Sequence, residues 1–195
     1  MSSSRRFLVL HGWQNRRPPT HWQWQLVESL RSRGEQVLYP QLPAPDRPSL
    51  TTWSELVHAE LAQLGDGERV VIAHSLAVPL WLHVAATLSP VERVDRTLLV
   101  SPPSPGVLGE HEEVSTFARV RHDGQAVAAA AHRNRLVCSD DDPYCPEGAP
   151  AAYARLELDV DIIRGGAHLD PDAGYGAWPS VLAWCQDPGT RLTAR

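Results

Sequence analysis

The sequence is poor in sulfur and in positive charge, and it has no long apolar run. Its 195 residues include three cysteines and one methionine. Cys138, Cys145 and Cys185 are odd in number and fall in no paired spacing, which excludes a disulfide framework and points to free thiols in a reducing compartment. No Cys-x-x-Cys or His-x-x-x-His pair accompanies them, so no metal site is expected. Eighteen Lys and Arg face 23 Asp and Glu, giving a net charge of -5 and a pI near 6.0. Such a chain has no basic face with which to displace counterions from a phosphate backbone, so nucleic acid is excluded as a partner. No stretch approaches the roughly 20 apolar residues that span a bilayer. The opening Met1-Ser2-Ser3-Ser4-Arg5-Arg6 leads into an apolar segment too short for a signal-peptide core. A cytoplasmic protein with no membrane partner is expected, with monomer and homodimer both open.

What is present is a 43% apolar chain, long enough for one good core and short for two. The expectation is a single domain over residues 1–195, ordered from about residue 6 to 187 with short polar tails. Short apolar runs alternate with longer helical patterns, the signature of a parallel sheet covered on both faces, so the fold class is α/β. Strands are expected at Phe7–Leu10, Val37–Tyr39, Val70–Ile72, Thr97–Val100, Leu136–Cys138 and Val160–Ile163. Thr52 with Glu55 reads as a capping box, followed by Trp53, Leu56, Val57, Leu61 and Leu64 at helical spacing until Gly65. Thr20 with Gln23 opens another helix, with Trp22, Leu26, Val27 and Leu30 on its buried face, Gly34 at its end and Trp24 off the stripe. Pro40 to Pro48 carries four prolines and Pro102 to Gly109 three, so both read as loops. They follow strands, at the sheet edge where α/β folds bind ligands, and are either pocket walls or plain connectors.

Chemistry concentrates at four places. Val70-Val71-Ile72-Ala73-His74-Ser75-Leu76-Ala77 is an apolar strand, a serine flanked at two residues' distance by alanines, and the start of a helix. A nucleophile elbow needs small residues at those positions because the turn is too tight for larger ones. Ser75 is also readable as an ordinary N-cap. After the fifth strand comes Ser139-Asp140-Asp141-Asp142-Pro143-Tyr144, and after the sixth Gly165-Gly166-Ala167-His168-Leu169. A serine, an acid and a histidine in that chain order, each after a strand, are what hydroxyl attack requires: a base, and a carboxylate to orient it. Taken singly, the aspartates read as a solvated turn and His168 as a polar loop residue. Finally, His11-Gly12-Trp13 ends the first strand with a turn that would bring the Trp13 backbone N–H beside that of Leu76 as an oxyanion hole. His11, Gly12, Trp13 and His74 are the candidate pocket walls, with His11 equally readable as a loop tether.

With these motifs in view, the chain resembles the RBBP9/YdeN family of compact serine hydrolases from Phe7 to Trp184. The marks are His11-Gly12-Trp13 with Thr20-His21-Trp22, the Ala73-His74-Ser75-Leu76 elbow, and Ser101-Pro102-Pro103. Asp141-Asp142-Pro143-Tyr144, Ala167-His168-Leu169 and Gly174-Tyr175-Gly176-Ala177-Trp178-Pro179 complete the set. The resemblance implies an α/β-hydrolase fold with strand order 2-1-3-4-5-6 and no large cap domain. It also selects Asp142, the aspartate directly before the proline, as the acid. Ala77 and Ala167 depart from the glycines common at those positions.

The resulting expectation is a carboxylesterase-like enzyme with Ser75 as nucleophile, His168 as base and Asp142 orienting it. It would cleave a small ester, thioester or activated amide through an acyl-enzyme, with no cofactor. The alternative is a catalytically weak or inactive hydrolase scaffold serving as an interaction protein. The Leu-x-Cys-x-Glu peptide that would suit a retinoblastoma-type partner is absent: Leu136-Val137-Cys138-Ser139-Asp140 ends in aspartate and lies in an expected strand. A flavodoxin-like nucleotide binder is disfavoured because no glycine-rich loop follows the first strand.

Overall fold

All six expected strands form, five of them longer than their apolar centres, while the second keeps three residues but shifts by one to Gln36–Leu38 and leaves Tyr39 outside it. They are β1 (Arg5–Leu10), β2 (Gln36–Leu38), β3 (Glu68–His74), β4 (Val94–Val100), β5 (Ala131–Ser139) and β6 (Asp159–Ile163). Of the extra residues, Arg5, Arg6, Glu68 and Arg69 are half-buried polar ends whose backbone completes the ladder. The strands make one sheet in the order β2-β1-β3-β4-β5-β6, every neighbour parallel. This computed structural model describes residues 4–195, and the expected polar tail at Met1–Ser3 lies outside them.

Among the described residues seven α-helices cover the sheet: α1 (Trp22–Arg31), α2 (Leu50–Gln63), α3 (Ala77–Ala85), α4 (Pro105–Glu110), α5 (Gly124–Ala130), α6 (Ala149–Ala152) and α7 (Pro179–Gln186). Leu8, Leu10, Val71, Ala73 and Leu99 point to one face and pack with Trp53 and Val57 of α2 and with the almost wholly buried α3. Phe7, Val9, Val70, Ile72 and Leu98 point to the other and meet Trp22 and Leu26 of α1 and Trp184 of α7. Burial on both faces is why these strands read as continuous apolar runs rather than alternating ones. Arg96 of β4 is buried beneath α7, where it donates to the Trp184 and Cys185 carbonyls at 2.6 Å each and to Glu68 at 2.7 Å. A cation there satisfies carbonyls that the end of a helix leaves unpaired.

Three local expectations need correction. The cap of α2 is Ser49, whose hydroxyl accepts from the Thr52 N–H, so Thr52 lies in the first turn instead of capping it. The cap of α1 is His21, whose Nδ1 accepts from the Gln23 N–H at 3.1 Å, in place of Thr20. Pro102 to Gly109 is not all loop: Ser104 caps α4 and Pro105 takes its first position, where the missing N–H of proline costs nothing. No helix among the described residues is long and apolar enough to cross a membrane.

Candidate active site

β3 delivers Ser75 at its carboxyl end, between His74 and the start of α3. The residue has φ of 56°, a left-handed conformation that a side chain bearing Cβ adopts only under constraint. Its N–H is held by the Val100 carbonyl at 2.9 Å. The N-cap position of α3 belongs to Leu76, which makes no side-chain cap bond, and the Ser75 hydroxyl instead reaches His168 Nε2 at 2.9 Å. The ordinary N-cap reading of Ser75 therefore fails. Gly12 shows how closely the turn after β1 approaches: a Cβ there would lie 2.7 Å from Ser75 Cβ and 3.1 Å from its Oγ. Only glycine fits against the hydroxyl. That approach carries the Trp13 peptide to the serine, and among the described residues no hydrogen bond engages the backbone N–H of Trp13 or of Leu76.

The three aspartates after β5 each hold a different rung of the loop after β6. Asp140 accepts from the Gly165 N–H and Asp141 from the Ala167 N–H, both at 2.8 Å, and Asp142 accepts from His168 Nδ1–H with both oxygens at 3.0 Å. Asp142 and His168 are 5% and 8% exposed, so this ion-pair-like contact is shielded from water. Asp142 Oδ1 also accepts from the Tyr144 N–H at 2.9 Å, which fixes the carboxylate's orientation. The histidine loop is tight. Gly166 has no room for a Cβ, which would fall 2.6 Å from Leu169 Cδ2, while Ala167 and Leu169 take φ of 46° and 50°. Ala167 thus occupies a conformation that glycine adopts freely and alanine at a cost of about 1 kcal/mol. Ala77, the other departure, is an ordinary buried helical residue of α3.

Three further histidines gather behind the site, and burial holds each of them neutral. His74 donates from Nε2 to the His168 carbonyl at 3.1 Å and packs ring to ring with His168 at 5.1 Å and with His21 at 5.2 Å. Burial, reinforced by His168 and His21, pushes its pKa well below the usual histidine value. His21 is lowered to about 4, chiefly by burial, with Asp170 opposing. His11 is likewise lowered to about 4 by burial. It donates from Nδ1 to the Gly12 carbonyl, and its Nε2 accepts from the Leu42 N–H at 2.9 Å. His11 is wholly buried and faces no part of the cleft, so its place among the pocket walls is corrected to that of a loop tether.

These depressed values imply acid sensitivity. The unfolded chain binds a proton at His11 and at His21 near pH 6.5 while the native state refuses it until about 4, so stability is full above that upper value and falls as pH drops through the window. His11 and His21 should each remove about 2 kcal/mol between about pH 7.5 and about pH 5. Urea midpoints at the two pH values measure this. His21→Asn, which retains a cap acceptor, should recover about 2 kcal/mol of the loss. Equal stability at both pH values would show that these imidazoles are solvated.

A cleft of about 540 Å³ opens over the Ser75 hydroxyl. Gly12, Trp13 and His74 line it, joined by Leu76, Pro103 and Tyr144. The second proline-rich segment is thus a wall. The first is a brace: Pro45 and Asp46 carbonyls accept from the Gln14 N–H and the Trp13 indole, pinning the turn that lines the cleft. In the sequence Tyr144 stands out only as the last residue of the Asp141-Asp142-Pro143-Tyr144 motif, with no role attached. Its ring lies 4.4 Å from the His168 ring, a contact signalled only by its place two residues beyond the acid.

Comparison with known proteins bears on the fold and the family. Of solved structures, the ydeN gene product of B. subtilis superposes with a TM-score of 0.80 at 21% identity, over 94% of this chain and 97% of that one. The monoacylglycerol lipase of Paleococcus ferrophilus gives 0.68 at 14% identity, covering 94% and 96%. Est1E of Butyrivibrio proteoclasticus gives 0.61 at 14% identity, covering 86% and 80%. At these identities the likeness is one of fold. No curated protein matches the chain in sequence. The model of the serine hydrolase family matches residues 7–187, nearly the whole of the sheet and its helices. The chain therefore belongs to the serine hydrolase family, as a YdeN-like member with the α/β-hydrolase fold.

Proposed function

We propose that the protein hydrolyses small carboxylic esters, thioesters or activated amides through an acyl-enzyme on Ser75. The observation that carries this reading is the unbroken hydrogen-bonded line from the Ser75 hydroxyl through both nitrogens of His168 to Asp142. Asp142 fixes the imidazole with its proton on Nδ1, leaving Nε2 free to take the serine proton as Oγ attacks the acyl carbon. The oxyanion that forms is received by the Trp13 and Leu76 N–H groups, each such donor lowering the barrier by about 3 kcal/mol. His168 then gives the proton to the departing oxygen, sulfur or nitrogen, and water repeats the sequence to free Ser75. No step calls for a metal or cofactor. The left-handed backbone at Ser75 supports the same role, since it presents the hydroxyl to the cleft.

A fluorophosphonate probe tests the proposal, because it phosphonylates a serine activated by a neighbouring base and ignores an inert one. The purified protein should label at Ser75, with loss of ester hydrolysis in proportion to labelling. Absence of labelling in folded protein, together with no turnover of para-nitrophenyl acetate, would make the chain a non-catalytic scaffold.

A further inference from the structure

Tyr144 is placed to do more than support the acid. Three contacts fix it: its N–H donates to Asp142 Oδ1 at 2.9 Å, its carbonyl accepts from the Ser104 N–H at 2.8 Å, and its ring lies tilted by 57° over the His168 imidazole, 4.4 Å between centroids. The backbone is thus fastened on both sides while the side chain is left 41% exposed, one of few large apolar groups on this surface, and lines the cleft. An aromatic ring left open to water beside a reacting centre is available for a substrate group.

The chemistry of the proposed reaction decides which group. His168 Nε2 must reach the Ser75 proton first and the departing atom next, so the leaving group lies on the His168 side of the serine. The Gly12–Trp13 turn, which packs against Ser75 Cβ and Oγ, takes the carbonyl oxygen. Tyr144, packed against the His168 ring, therefore borders the leaving-group half of the cleft. We propose that Tyr144 is a specificity residue whose ring receives a planar aromatic leaving group, so that the enzyme prefers aryl over alkyl esters of the same acid. This rests on the acyl-enzyme reading above. In the step concerned, the Ser75 Oγ–acyl bond forms and the acyl–O(aryl) bond breaks. The serine proton passes by His168 Nε2 to the phenolate oxygen, and the phenol leaves past Tyr144.

Two acetates that yield the same acetyl-enzyme isolate this half of the site: para-nitrophenyl acetate and trifluoroethyl acetate, measured on wild type, Tyr144→Ala, Tyr144→Leu and Tyr144→Phe. Because deacylation is common to both, kcat/KM compares only the acylation step. Tyr144→Ala and Tyr144→Leu should lose about tenfold in kcat/KM on the aryl ester, mainly through KM, and less than about twofold on the alkyl ester. Tyr144→Phe should stay within about twofold of wild type on both, since the ring and not the hydroxyl makes the contact. Equal losses on the two esters would overturn the proposal in favour of a purely structural prop for His168, and so would an unchanged aryl rate in both truncations. Fluorophosphonate labelling of the same samples separates the two levels. A wild type that neither labels nor turns over either ester fails the acyl-enzyme reading and the inference with it, whereas labelled variants with no aryl-selective loss fail the inference alone.

Discussion

Ser75→Ala should abolish ester hydrolysis and probe labelling while leaving the fold unchanged. Loss of a triad nucleophile costs up to about 10⁶ in kcat in enzymes of this mechanism, leaving only what the oxyanion donors and substrate binding supply. The substitution removes one hydroxyl whose side-chain partner is His168 Nε2. Alanine also bears a Cβ, so the strain of φ 56° is the same before and after, and the Val100 carbonyl still holds the backbone N–H. The far-ultraviolet spectrum and the urea midpoint should therefore match wild type within error, which assigns the lost rate to chemistry. Turnover retained in a purified Ser75→Ala sample would end the assignment of the nucleophile.

How far the site could be read without coordinates depended on whether its determinants were local. The elbow was legible because a tight strand-to-helix turn writes its steric demand into Ala73 and Ala77, two residues either side of Ser75. The sheet was legible because burial on both faces removes polar residues from strand centres. Helix starts were less so. Thr20 and Thr52 match a capping pattern, but the cap is whichever residue holds extended backbone at that point, and His21 and Ser49 do. Pro105 shows the converse, since a proline that ends most helices begins α4. His11 was ambiguous because its partners, Gln41 and Leu42, lie on another loop. The depth of the histidine cluster, the brace from Pro45 and Asp46 to the Trp13 turn, and the ring of Tyr144 over His168 are likewise contacts between distant segments or between side chains whose rotamers the chain's pattern does not encode.

Among the three adjacent aspartates, only Asp142→Asn should cripple turnover, by about 10⁴ in kcat by analogy with the same change in a well-studied serine protease. The Tyr144 N–H donates to Asp142 Oδ1, so an asparagine there will turn its carbonyl oxygen toward that donor and its amide nitrogen toward the position of Oδ2. An NH₂ group facing His168 Nδ1 demands that this nitrogen accept. The ring proton then moves to Nε2, where it faces the Ser75 hydroxyl and cannot take its proton. Asp140 and Asp141 differ in kind, because each accepts from a backbone N–H, at Gly165 and Ala167, and an asparagine carbonyl serves that purpose as well. Asp140→Asn should stay within about threefold of wild type. Asp141→Asn weakens an acceptor that also takes the Ser139 hydroxyl, so it should cost more in stability than in rate. Rates for the three variants on one ester, each checked for folding, give the comparison. Near-wild-type kcat in Asp142→Asn, or a larger loss in Asp140→Asn than in Asp142→Asn, would show that the imidazole takes its orientation from some other group.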